Sequence, residues 1–417
     1  MDATQSVSWM ARRLTMGAGV ASLESMLAAG PEATKLQLVD PDGEGIEAAG
    51  SPWAGYDVPD EPDREETPRL LAAWLEHMRT TPRPFETWIG WFWHDHFAVS
   101  AGVVRYLPAF VAHIDMVTSL GLGAFDKMLR QVTTDPAMLA FLDGRQNRRG
   151  EVNENYGREL LELYALGIGN YDEDDVRAAA VALSGWAWRP GLSEARFVPS
   201  RHDPTPQTLL GSTVDDVDSV IDTVTSARAC ARHITSRLAA AILGWVPAGA
   251  EFDRLADGFE DTALDIRHLV DALIDIALEG GSVPIVMSPI AWFNQVESLT
   301  NAELEPQMRL ALLRQMGQLP GVPPNVGGYP GADTWAGPSS TVGRFRAASV
   351  IASRTPDAAP ILEAADQRAW DEVARLAARP DGFSSETLRS LDGTNTSRRS
   401  GREALAAVLM SPEMVVA

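Results

Sequence analysis

Only one cysteine, Cys230, occurs in 417 residues, which excludes an intrachain disulfide and the thiolate-rich zinc sites. Its surroundings, ARACARHITSRLAAAIL, are helical and apolar, so it reads as a buried core thiol. No run of about 18 apolar residues is present, so the sequence offers no membrane insertion. Basic residues are scarce: 35 Lys and Arg stand against 57 Asp and Glu, a formal net charge of −22. So acidic a chain is unsuited to nucleic acid or anionic bilayers, both of which need clustered cations. The common catalytic fingerprints are missing too. There is no glycine-rich phosphate loop ending in Lys-Ser/Thr, no dinucleotide glycine pattern after a strand, and no Gly-x-Ser-x-Gly elbow. The apolar residues of the first thirty positions are interrupted by Gly, Ser and Glu, which argues against a secretory signal. A soluble, cytoplasmic protein is the expectation.

What is there is helical rhythm. Hydrophobic content of 45% and charged content of 22% are ordinary for a folded protein. Apolar spacings of three and four recur along nearly the whole chain. The fold class expected is mainly α: a large multi-helix domain with one small β-hairpin near residues 186–200. An N-terminal helix over 5–29 leads into an irregular wrapping segment that runs to 65, pinned by Trp53 and Tyr56. A core helical domain spans 66–317, and a Gly/Pro loop with C-terminal helices (318–417) packs on it. The loop, LPGVPPNVGGYPGADTWAGPSS, is longer than structureless connections usually are, which marks it as functional.

Three dense polar segments carry the candidate chemistry. The first, WFWHDHFAVS, places His94, Asp95 and His96 among three large aromatics. On a helix, residues two apart diverge by roughly 200°, so the two histidines cannot face one site. His96, sharing a face with Phe92 and Trp93, is the inward one. The second, NENYGRELLELYALGIG, begins with Asn153 as cap, sets Asn155, Glu159 and Glu162 on one face, and forms a ladder of Glu154, Arg158 and Glu162. The third is the His202-Asp203 pair in a loop after the hairpin. Carboxylates and imidazoles projecting from bundle helices can hold divalent metals. The usual Glu-x-x-His spacing is absent, however, and only Glu159-x-x-Glu162 occurs, which weighs against a di-iron centre. Trp186, Trp188, Tyr329 and Trp335 lie in irregular stretches and could line a pocket for a flat ligand or a sugar.

Two functions follow. One is a metal-assisted hydrolase or oxidoreductase with a divalent ion on His96, Glu159, Glu162 and His202. Its catalytic groups would be His96, Glu159, His202 and Arg158, with His94, Asp95 and Asp203 in support. The other is a non-catalytic scaffold or partner protein, whose buried polar network fixes the helices. In the plain alternative, His96 is a structural histidine bonded across helices, the glutamates form a surface salt-bridge ladder, and Asp203 is a turn cap.

Taken in order, FWHDHFAVS, DPAMLAFLDG, NENYGRELLELYALGIGNYDEDDVRAAAVALSGW, RHDPTPQTLLG, MSPIAWF, MGQLPGVPPNVGGYPGADTW and LMSPEM resemble one bacterial family. It is catalogued as domain of unknown function 1800, and the likeness runs from about Ala11 to about Met414. The resemblance implies no substrate. It does imply a second protein from a neighbouring gene as a partner. It also implies export as the alternative to a cytoplasmic location, because many members are exported. The loop departs from the family's usual Gly-Trp-Pro-Gly-Gly: Tyr329 stands for tryptophan and Ala332 for the last glycine.

Overall fold

The structure is a computed structural model that describes residues 1–17, 20–43, 50–59, 65–392 and 400–417. Among these residues, 24 α-helical segments accompany only two small antiparallel hairpins, so the fold is mainly α. No helix among them is long and apolar enough to cross a membrane. One continuous apolar core runs from Val7 to Met414.

The first helix, Ala3–Arg13, starts at a capping box in which Asp2 and Gln5 bond each other's backbone N–H groups. It does not continue to residue 29. A break follows and a second helix runs Val20–Ala29; residues 18–19 lie outside the described part. Of the segment read as irregular over 30–65, residues 31–39 are helical. Gly30, at φ +82°, turns the chain and Pro31 opens the helix Pro31–Val39, since proline costs nothing in a first turn. Farther on, Trp53 is buried and its indole N–H donates to Leu70 O at 3.0 Å. The phenol of Tyr56 donates to Glu66. Both aromatics pin the segment as expected.

The aromatic helix, Pro84–His96, crosses Leu107–Ser119 closely. Gly90 makes the approach: a Cβ there would lie 2.4 Å from Thr118 Oγ1. The Trp93 indole donates to Gly121 O at 2.8 Å, so the core's largest side chain is anchored at its one polar atom.

The expected hairpin pairs Trp186–Ala187 with Arg196–Phe197. A second, unforeseen one pairs Gln207–Leu209 with Ser212–Val214. Its two-residue turn, Leu210-Gly211, has positive φ at both positions. That geometry ordinarily selects Asn-Gly or Asp-Gly. Here Asp175 accepts the Leu210 N–H at 2.7 Å and holds leucine in the left-handed region. Near the end of the chain, helices Ser385–Asp392 and Gly401–Leu409 match the helical rhythm over 384–394 and 399–411; residues 393, 394 and 399 of those stretches lie outside the described residues.

Gly90→Ala should lower stability by about 1–3 kcal/mol through overpacking against Thr118, despite the better helix propensity of alanine. Gly90→Ala with Thr118→Ala should recover most of the loss. Urea unfolding of both variants checks this; a single variant as stable as the parent would remove the close-approach role.

Candidate functional site

The two histidines of the aromatic helix do point apart, and each meets a different environment. His96 is buried, and its Nε2–H donates to Tyr164 O at 3.0 Å. His233, from the helix Arg228–Leu243, donates likewise to the preceding carbonyl, Leu163 O, at 2.9 Å. These carbonyls belong to a π-helical turn, Leu160–Ala165, that follows the short α-helix Asn155–Glu159. Gly167, at φ +79°, ends the turn where a Cβ would meet His233 Nδ1 at 2.9 Å. The wide turn leaves carbonyls unpaired at its end, and two imidazoles satisfy them. Burial holds the His96 pKa well below its ordinary value, with Arg237 and then His233 adding to the effect.

His94 is fully buried, and neither ring nitrogen has a hydrogen-bond partner among the described residues. Its ring lies among Trp74, Trp91, Phe110 and Tyr329, at centroid distances of 5.2 to 6.2 Å. Burial lowers its pKa to about 3, and nearby His113 adds to the shift. The ring is therefore neutral at any physiological pH.

Asp95, between them, faces a third direction. The Gly/Pro loop comes down on it: the Tyr329 N–H donates to Asp95 Oδ1 at 2.6 Å. Gly328 permits this, since a Cβ there would sit 2.3 Å from Asp95 O and 2.4 Å from Asp95 Oδ1. The Tyr329 ring stacks on Trp91 at 5.2 Å, its hydroxyl donates to Leu319 O and accepts from Val322 N–H. Burial raises the Asp95 pKa to about 6; the Tyr329 N–H and, less, Arg237 act against the rise.

Asp95 opens on a cavity of about 220 Å³. Trp88, Trp91, Phe92, Tyr329 and Trp335 supply aromatic walls, and Arg12 and Arg13 of the first helix line the cavity as well. Aromatic walls with a few polar groups, one of them a shifted carboxyl, are the marks of a ligand site. A larger depression of about 610 Å³ lies elsewhere, beside Lys35, Asp271 and Arg267. Its charges are already engaged in surface ion pairs, Lys35 with Asp271 and Asp275, Arg267 with Asp40.

The other residues singled out from the sequence lie outside this cavity's walls. Arg158 makes a bidentate pair with Glu173 at 2.7 Å, and Glu154 stands 3.8 Å away. Glu162 leaves the expected ladder and accepts from the Tyr171 hydroxyl at 2.8 Å. Glu159 is half-buried, its pKa raised by burial and by neighbouring Glu162. His202 Nδ1 lies 3.0 Å from Ser184 O, while Asp203 accepts from Thr205 as a turn cap. Asn153 Oδ1 accepts the Asn155 N–H, one position removed from the cap expected. Among the described residues, no group of three or more His, Cys, Asp or Glu side chains could hold a metal. The expected divalent site on His96, Glu159, Glu162 and His202 is therefore not assembled, since His96, Glu162 and His202 each serve a local partner.

The profile of the family described as "Protein of unknown function (DUF1800)" matches residues 9–416. The chain belongs to this family. No curated protein and no solved structure matches it. The match takes in both the DUF1800 member's aromatic helix and its Gly/Pro loop, the two elements that meet at Asp95. Sequence reasoning placed Asp95 only in support and passed over Arg12 and Arg13. The available signal was a pair of arginines between the apolar Met10-Ala11 pair and Leu14 at the end of the first helix.

Two substitutions test the electrostatics. The raised Asp95 pKa stabilises the folded state below about pH 4 and loses that contribution as pH rises through about 6. Asp95→Asn should therefore be more stable than the parent at pH 7.5, by at most about 3 kcal/mol, and should converge with it near pH 4. The depressed His94 pKa has the opposite sign: its contribution is complete above about pH 6.5 and falls away below it. His94→Phe should lose roughly 2 kcal/mol less than the parent between pH 7.5 and pH 5. Urea midpoints across pH decide both. An Asp95→Asn variant less stable at pH 7.5, or a His94→Phe variant with the parental acid dependence, would contradict the assignment.

Proposed function

We propose that this DUF1800 protein is a small-molecule hydrolase whose working group is Asp95, acting as a general acid from the wall of the aromatic cavity. The supporting observation is the combination of a carboxyl raised to about 6 with an enclosing set of aromatic rings. A carboxyl in that range keeps a proton available near neutrality and still gives it up readily. The Tyr329 N–H fixes Oδ1, which leaves Oδ2 to carry and deliver the proton. Trp91 and Tyr329, stacked on one another, would hold the substrate's flat or apolar part against the carboxyl. No step is assigned to a metal, because no donor set among the described residues fits one. Arg158 is engaged by Glu173 and His202 by Ser184 O, and neither they nor Glu159 is given a part in this chemistry.

The scaffold reading has its own support. His96 and His233 are bonded to backbone carbonyls, and His113 lies between Asp135 Oδ2 at 3.1 Å and Phe97 O at 3.2 Å. These groups fix helices and carry no free chemistry. The two readings part at Asp95, which a scaffold has no reason to keep partly ionised.

Turnover of p-nitrophenyl acyl, phosphoryl and glycosyl substrates between pH 4 and 9 tests the proposal. The expected result is hydrolysis of at least one class, with kcat/KM falling as pH rises through about 6. Asp95→Asn should reduce it by roughly 100-fold or more. No turnover of any class, or an active Asp95→Asn variant, favours the scaffold.

A further inference from the structure

Arg12 and Arg13 line the cavity, Arg344 bonds two of its wall residues and Arg379 lies near Arg12; all four are buried or half-buried and, among the described residues, none is paired with a carboxylate. Arg13, at 3% exposure, donates to Val283 O at 2.7 Å, Ala417 O at 2.6 Å and Ile242 O at 3.3 Å. Arg12 donates to Ala378 O. Arg344, at 1% exposure, donates to Trp335 O at 2.7 Å and to Met287 O, and lies over the Trp292 ring. Arg379, also buried, lies within electrostatic reach of Arg12. Every one of the four has an Nε–H that is buried with no partner among the described residues, and Arg379 Nη2 shares that state. Backbone carbonyls satisfy N–H groups but carry no net charge. Asp381 and Glu413 attract Arg12 and Arg379 only at longer range.

Buried charge without a counter-charge is expensive, and here it is concentrated beside a hollow. Arg12 and Arg13 themselves line it, and Arg344 holds the walls formed by Met287 and Trp335. In a chain of net charge −22 such a concentration runs against the overall composition. Guanidinium groups on a cavity wall without a counter-charge are suited to an oxyanion, whose bonds to them are charge-assisted.

We infer that the cavity binds a small organic oxyanion, a carboxylate or phosphate monoester on a single flat ring, with its anionic end on Arg12 and Arg13 and its ring among Trp91, Tyr329 and Trp335. The size of the hollow, about 220 Å³, is below that of drug-sized pockets and admits a ligand of this kind. The inference names the ligand class for the acid–base site proposed above, and rests on that reading for the cavity's being the working site. Asp95, in the same cavity, would then meet the ligand as the protonated acid, avoiding a clash of two anions.

Calorimetric titration of the full chain at pH 5.5, where Asp95 holds its proton, with phenyl phosphate, and with benzyl alcohol as a neutral counterpart, tests it. Phenyl phosphate should bind, and benzyl alcohol should bind roughly tenfold more weakly or not at all. Arg12→Gln should weaken phenyl phosphate by roughly tenfold or more while leaving the melting temperature near the parent's, since only one carbonyl bond is lost. Should Arg12→Gln fail to fold, Arg12→Lys takes its place, with weakened binding again expected because lysine cannot reproduce the guanidinium fork. No binding of phenyl phosphate, equal binding of the two probes, or indifference to Arg12 overturns the inference. Carbon-13 NMR titration of Asp95 in the same samples separates the two proposals. A carboxyl titrating near 6 without phenyl phosphate binding leaves the acid standing and removes the anion, whereas binding with an unshifted carboxyl does the reverse.

Discussion

The contact between the Tyr329 N–H and Asp95 Oδ1 is the constraint around which the site is built. A carboxyl on a helix crowded with aromatic rings needs a donor, or its burial costs several kcal/mol. The donor comes from a loop more than two hundred residues away, and only glycine at 328 lets that backbone approach Asp95 so closely. Once the N–H is in place the rest of the loop is fixed. The Tyr329 ring must lie on Trp91, its hydroxyl closes the turn at Leu319 and Val322, and the short helix Ala332–Trp335 delivers Trp335 to the cavity wall. One hydrogen bond is too weak to neutralise the carboxyl's preference for its proton, so Asp95 stays raised. A second N–H donor would have pulled its pKa down and left an ordinary structural aspartate.

The histidines divide by the same logic of unmet donors and acceptors. His96 and His233 are fixed by the extra width of the π-helical turn, which leaves two successive carbonyls facing inward. His94 has no such acceptor and is surrounded by ring faces and edges, so it stays neutral and acts as one more aromatic body in the packing. Adjacent residues of one helix thus serve as backbone anchor, buried carboxyl on a cavity wall, and packing group. Neighbours set these roles, because each of the three side chains leaves the helix in a different direction.

Much of the fold was legible because helical spacing records burial directly. The run from Arg228 to Leu243, for example, shows its core face in Cys230, Ile234, Leu238 and Ile242. The second hairpin was hidden because its turn uses Leu210 where a sequence reader looks for asparagine, and the stabilising Asp175 lies on another element. The π-helical turn left no trace in LLELYA, and the two histidines that satisfy its carbonyls lie elsewhere in the chain. For the site, the segment WFWHDHF and the loop around Tyr329 were both conspicuous, but their meeting was not. In the sequence the histidines stand out, because their chemistry is versatile in isolation, whereas Asp95 becomes distinctive only when a loop covers it. Glu159 and Glu162 looked like metal ligands by spacing. Tyr171 drew Glu162 away, an interaction that no periodicity encodes.

The arginines extend that lesson to charge. Composition gives a chain of net charge −22, from which a negative potential at every surface is the natural expectation. Net charge describes the outside, however, where most of the carboxylates lie, and solvent with salt screens it over about 10 Å. A guanidinium inside is screened far less, so a few buried arginines outweigh many distant carboxylates at the point where a ligand sits. Arg13 and Arg344 can remain inside because backbone carbonyls supply enough hydrogen bonds to hold the planar fork, even though they supply no counter-charge. The first helix, Ala3–Arg13, therefore does more than cover the core. It brings positive charge to the wall of a cavity that Asp95 also lines, while the only cation that acts on the Asp95 proton among the described residues is Arg237.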